Sequence, residues 1–196
     1  LDALQTLPYR HVREGLAEIC KAGIIEGHDL FDALETLAPH PLHKWPWDHL
    51  VSEAIKVKTM IVNDDRHEAG SREVLNLGHT FGHALEAEAG FSDTLLHGEA
   101  VAAGMALAFG FSAAQGFAPQ ADAARVAAHL RATGLPDGAR AAGVDADGAT
   151  LVAHMLHDKK MHGGALPFLL ARGIGQTYLD KQVDLAAVRE FLDATA

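Results

Sequence analysis

Residues 72 to 86 carry a cation, an amide, two imidazoles and a carboxylate at helical spacing: Arg72, Asn76, His79, His83 and Glu86. At roughly 100° per residue these five positions share an arc of about 80° on an α-helix. A stripe of that chemistry is not a packing stripe. The other side (Val74, Leu77, Phe81, Leu85) is apolar and suits a core, with Leu75 at the edge of the polar stripe. Gly78 and Gly82 would each cost about 1 kcal/mol against Ala inside a helix. Two in one helix predict close approach by another backbone or by a ligand. His97 follows after a short loop, at the start of the next predicted helix. His79, His97 and a carboxylate would form an N₂O set with an open position, as in catalytic zinc sites. His79 and His83 also have the i,i+4 spacing of H-E-x-x-H, but Thr80 stands between them, so the general base of that motif is missing. Such a pair also arises by chance in a chain with 13 histidines.

The elements that must position these groups are mostly helical. Pro8 opens a predicted helix to about Ile25, with Val12, Leu16, Ile19, Cys20 and Ile24 at helical spacing. Within it, Glu18 and Lys21 lie three apart. They fit an exposed ion pair worth a few tenths of a kcal/mol, but their small and apolar neighbours point to burial, where a carboxylate needs a cation or metal partner. Asp29 is expected to cap a short helix ending near Ala38. A connector follows, with His40 and His43 at the surface and Trp45 and Trp47 as anchors. A helix from Asp48 to about Asn63 carries Lys56 and Lys58, each readable as a solvated lysine. A helix from His97 to about Gln115 is apolar on all sides and reads as a core helix. Pro119 starts another, to Thr133; a turn-rich link and a helix from Ala149 to about His157 follow. The run at 157–164 is expected to break that helix. ALPFLLA and GQTYLD read as a hairpin, and Val183 to Thr195 as a closing helix. The expected class is mainly α, with residues 1–196 as a single helical metal- and substrate-binding domain bearing one small β-hairpin.

With 48% hydrophobic and 21% charged residues, the chain has the composition of a soluble globular domain. A net charge of −10 argues against nucleic-acid binding, which needs a basic face. The single cysteine, Cys20, excludes an internal disulfide and fits a reducing compartment. No secretory signal is visible, and the most apolar run, residues 100–114, is too short and too rich in Ala and Gly to span a bilayer. The chain begins with Leu, as a fragment or processed piece would.

LNLGHTFGHALE followed by LLHGEAVAAGM closely resembles the signature of 3-dehydroquinate synthase, in the sugar-phosphate cyclase family. LQTLPYRHVREGLAEICKAGII, IKVKTMIVNDDRHEAGSREVLN and HDKKMHGGALPFLLARGIGQTYL are similar to further blocks of that family. The resemblance covers the C-terminal, helical half; no G-x-G-x-x-G follows a predicted strand, and the family's N-terminal nucleotide-binding domain is absent. By motif, the resemblance implies Glu18, His79 and His97 as ligands of Zn²⁺ or Co²⁺. It implies Lys21, Arg72 and Asn76 as catalytic contacts and His83 as a proton-transfer histidine. Lys58 and one of Lys159 and Lys160 are the implied substrate-binding lysines. The implied reaction belongs to aromatic amino-acid biosynthesis by the shikimate pathway, a lyase reaction in the cytoplasm. It converts 3-deoxy-D-arabino-heptulosonate 7-phosphate to 3-dehydroquinate with loss of phosphate, using NAD⁺ that ends unchanged. Implied partners are the NAD-binding domain, the small anionic sugar phosphate and a second copy in a homodimer, with neither nucleic acid nor membrane. Another sugar-phosphate cyclase and a metal-binding module without turnover stand as alternatives; the chain by itself is expected to be inactive.

Overall fold

The computed structural model describes residues 4, 6–65, 71–161 and 166–195, with backbone only at positions 28, 71 and 158–161. Among these residues the helices are α1 (Tyr9–Glu26), α2 (His28–Leu37), α3 (Trp47–Asp64), α4 (His79–Glu88), α5 (His97–Ala114), α6 (Gln120–Ala132), α7 (Gly148–Met161) and α8 (Leu185–Thr195). The strands β1 (Phe168–Gly173) and β2 (Gln176–Asp180) form an antiparallel hairpin pairing Leu170 with Tyr178. The mainly α class with one small hairpin is therefore what the chain adopts. No described helix is long and apolar enough to cross a membrane.

The core is built around α5. Its Ala100–Ala103 run, Met105, Ala108, Phe109 and Phe111 are all buried, because α1, α4, α6, α8 and β1 pack around it. Ser112 is buried too. Its hydroxyl donates to the Ala108 carbonyl (2.7 Å) and accepts from the Ala171 N–H (3.0 Å), so this polar group fastens β1 to the helix. The hairpin turn is tied in turn to α1, where the Gly175 N–H donates to the Ile24 carbonyl at 2.8 Å.

The expected continuous helix over 72–86 is two pieces. Residues Ser71–Asn76 form a 3₁₀ helix, and Gly78, at φ 85°, turns the chain before α4 begins. That left-handed backbone is open to glycine at no steric cost. The close approach predicted at Gly78 and Gly82 is present, and α5 answers it with a third glycine. A Cβ at Gly104 would lie 2.0 Å from the Gly78 carbonyl oxygen and 2.8 Å from the Gly82 nitrogen.

Two further expectations need correction. Asp29 does not cap α2; Gly27 holds that position, and Asp29 sits in the first turn, where a negative charge complements the helix dipole. Helix α7 does not break at 157 but runs through Lys159 and Lys160 to Met161. On α3, the apolar Ile55 and Met60 are 59% and 64% exposed. The connector is anchored as expected: Trp45 is buried, and the indole N–H groups of Trp45 and Trp47 donate to the carbonyls of His40 (3.0 Å) and Leu42 (2.8 Å).

Candidate metal and substrate site

A cavity of about 850 Å³ opens between α1, α3, the 3₁₀ helix and the first residues of α4 and α5. Glu18, His79 and His97 line it, as do Lys21, Lys58, Arg72 and Asn76. These residues come from segments up to 79 positions apart, brought together by the core beneath them. The break at Gly78 removes Arg72 and Asn76 from the helical stripe but still delivers them to the same cavity, from the 3₁₀ helix. The same cavity is also lined by the apolar Val12, Ile19, Trp47, Val51 and Ile55.

Three imidazoles cluster beside the cavity; His79 and His97 line it, and His83 stands behind them outside its lining. The His79 ring centre lies 5.4 Å from that of His83 and 5.4 Å from that of His97, and His83 lies 6.1 Å from His97. Burial, then the charge of Lys21, pushes His79 down to about 4. A neutral ring keeps a lone pair for a cation. Glu18 is paired with Lys21, whose Nζ stands 2.8 Å from Oε1. Both sequence readings of that pair are partly met: Lys21 is buried, while the Glu18 side chain is 49% exposed. Burial, opposed by the Glu18 carboxylate, holds Lys21 below the ordinary lysine value. Imidazole and carboxylate are ligand types that suit Zn²⁺ or Co²⁺, but the ligand atoms of Glu18, His79 and His97 do not all come within 4.8 Å of one another.

A second set is tighter. Ligand atoms of His83, Glu86 and His97 lie within 4.8 Å of one another. The Glu86 carboxylate straddles His97 Nδ1, at 3.1 and 3.2 Å. Glu86 stood on the sequence stripe without a role; its spacing of three from His83 was the available signal. Lys56, unlike Lys58, turns to Glu53 (2.7 Å). The side chains of Lys159 and Lys160 lie outside the described residues. Cys20 is buried and its thiol is pushed up to about 12 by that burial, so it is inert core.

A family model described as 3-dehydroquinate synthase C-terminal matches residues 15–161. The chain belongs to that family. It is 54% identical to the 3-dehydroquinate synthase of Zymomonas mobilis subsp. mobilis over 196 residues, covering 98% of this chain and 52% of that protein. It is 48% identical to the 3-dehydroquinate synthase of Caulobacter vibrioides, covering 98% of this chain and 53% of that one. The chain thus spans about half the length of the curated 3-dehydroquinate synthases it matches. Among solved structures it resembles the 2-epi-5-epi-valiolone synthase of Streptomyces hygroscopicus subsp. jinggangensis, with NAD⁺ and Zn²⁺ bound (TM-score 0.81, 27% identity, 95% of this chain and 51% of that one). A 2-deoxy-scyllo-inosose synthase, complexed with carbaglucose-6-phosphate, NAD⁺ and Co²⁺, shares the fold at 22% identity (TM-score 0.76, 96% of this chain and 53% of that one).

Proposed function

We propose that this chain is the C-terminal part of a longer 3-dehydroquinate synthase, which converts 3-deoxy-D-arabino-heptulosonate 7-phosphate to 3-dehydroquinate with release of phosphate. One observation carries the reading: a donor set for a divalent cation and the cations Lys21, Lys58 and Arg72 line a single cavity in a chain of this family. The substrate is a doubly anionic polyol. Arg72 offers a planar fork for bidentate capture of its carboxylate or phosphate, Lys58 and Lys21 add point charges, and Asn76 hydrogen-bonds a hydroxyl. Lys159 or Lys160 would add a further anion contact. Glu18, His79 and His97 would hold the metal. Bound there, a divalent cation would acidify the hydroxyl to be oxidised. His83, whose ring centre lies 5.4 Å from that of His79 and 6.1 Å from that of His97, would relay a proton in the reaction. No G-x-G-x-x-G follows a strand in this sequence, so NAD⁺ would be held by the N-terminal part of the longer enzyme, in the cytoplasm.

The tight grouping of His83, Glu86 and His97 supports a second ligand reading, in which His83 and Glu86 replace His79 and Glu18. Titration of Zn²⁺ into the 196-residue chain separates the two. The first expects large affinity losses in Glu18→Gln, His79→Ala and His97→Ala, and little in His83→Ala. The second expects the reverse for His79 and His83. For the reaction itself, the chain is joined to the N-terminal half of the Zymomonas relative and assayed with the heptulosonate phosphate, NAD⁺ and Zn²⁺. Phosphate release by the joined protein and none by the chain alone is the expected result; silence of both would overturn it.

A further inference from the structure

We infer that Glu86 is a positioning residue: it fixes the His97 ring so that Nε2 is the nitrogen offered to the cavity. This rests on the reading of His97 as a metal ligand. Both Glu86 oxygens lie within hydrogen-bond reach of His97 Nδ1, at 3.1 and 3.2 Å. The two side chains come from different helices, α4 and α5, eleven residues apart in sequence. Glu86 is 13% exposed at its side chain, while His97 is 49% exposed and borders the cavity. Among the described residues, His97 is also the sole hydrogen-bonding and ion-pair partner found for Glu86's carboxylate.

The chemistry follows from the imidazole ring. A neutral histidine carries one N–H and one lone pair, and a carboxylate is acceptor-only. With Glu86 at Nδ1, the proton must sit on Nδ1, and the lone pair is left on Nε2, which makes no hydrogen bond among the described residues. A carboxylate behind a ligand histidine both fixes its tautomer and raises its basicity. The same pair ties the end of α4 to the first residue of α5. His79, on the first turn of α4, and His97 are therefore held in one frame before a cation arrives. Glu86 need not touch the metal to set its affinity.

The test uses the 196-residue chain and its Glu86→Gln, Glu86→Ala, Glu18→Gln and His79→Ala variants, with Zn²⁺ as the probe. Ring-nitrogen NMR of His97 in the metal-free chain is expected to show Nδ1–H. Glu86→Ala should drift toward Nε2–H and lose Zn²⁺ affinity by about 10- to 100-fold. Glu86→Gln, whose amide oxygen can still accept from Nδ1, should keep the tautomer and lose less affinity. Dispersed spectra and an unchanged melting temperature check that each variant folds. An unchanged tautomer and affinity in Glu86→Ala, with losses in Glu18→Gln and His79→Ala, would overturn this role alone. Affinity indifferent to Glu18→Gln and His79→Ala would overturn the ligand reading and this role together. A loss in Glu86→Gln as large as in His79→Ala would make Glu86 a ligand and overturn the positioning role.

Discussion

Arg10 and Glu99, 89 residues apart, form a two-pronged ion pair between α1 and α5, with Nε–Oε1 at 2.7 Å and Nη2–Oε2 at 2.6 Å. The pair does more than join two helices. Arg10 also donates to the carbonyls of Asp93 (2.8 Å) and Thr94 (2.9 Å), and Glu99 accepts the Leu96 N–H (3.0 Å). One guanidinium thus pins the loop before α5, and with it the first residue of that helix, His97. The hydrogen bond from Arg10 holds Glu99 below the usual carboxylate range. A depressed carboxylate stabilises the fold above its unfolded pKa and loses that contribution as pH falls through its folded value. Glu99→Gln should therefore destabilise by about 1 kcal/mol at pH 7, after screening by solvent. It should also weaken Zn²⁺ binding, since His97 would be released. Urea unfolding and Zn²⁺ titration at pH 7 check both.

His129 should make the fold acid-sensitive. It is buried under Phe31, its Nε2 is 3.3 Å from Cys20 Sγ, and its Nδ1 has no partner among the described residues. Burial pushes it down to about 4. Above pH 6.5 the ring is neutral in both folded and unfolded chains and adds no pH dependence. Below that, the unfolded chain takes up a proton that the folded chain refuses, and stability falls by about 3 kcal/mol on reaching pH 4. Urea unfolding of wild type and His129→Leu between pH 7 and 4 should show a shallower acid limb in the variant; parallel curves would refute this.

Gly104→Ala tests the helix crossing. Its methyl would fall 2.0 Å from the Gly78 carbonyl oxygen, so α4 must move away from α5. A loss of about 3 kcal/mol is expected, the upper range for overpacking a core. Because α4 carries His79, Zn²⁺ affinity should fall with it. Chemical unfolding of the metal-free variant separates the two effects.

Metal should stabilise the chain measurably. Zn²⁺ at about 100 times its Kd should raise the unfolding free energy by about 2.7 kcal/mol, and a chelator should reverse it. Lys21→Met should tighten binding, roughly tenfold, because it removes a nearby like charge and frees Glu18 from its 2.8 Å partner. Weaker binding in that variant would mean that Glu18 stays with Lys21 and does not reach the cation.

Elements governed by local chemistry were legible. Pro8 marks the start of α1, the all-round apolar run marks α5, and the Gly-Ile-Gly turn marks the hairpin. The break at Gly78 was not, because the helical spacing of polar groups continues on both sides of it and a glycine reads equally as interior or as a turn. The end of α7 was misjudged because its polar, lysine-rich last turn looks like a loop in one dimension. Residues lining the cavity could be named from motif, but how Glu86 and Glu99 hold His97 could not. Those relationships depend on helix packing, which local pattern does not encode.

Gly78, Gly82 and Gly104 set how closely α4 approaches α5. Where Gly104 meets the Gly78 carbonyl and the Gly82 nitrogen, main chain meets main chain, and that spacing cannot adjust by a change of rotamer. The spacing of the backbones that carry His79 and His97 is then set by the main chain, and only the histidine side-chain torsions are left to adapt to a cation. Discrimination among ions at this wall would be written into the skeleton of the fold, and altered selectivity should be sought by changing these glycines as much as the ligands.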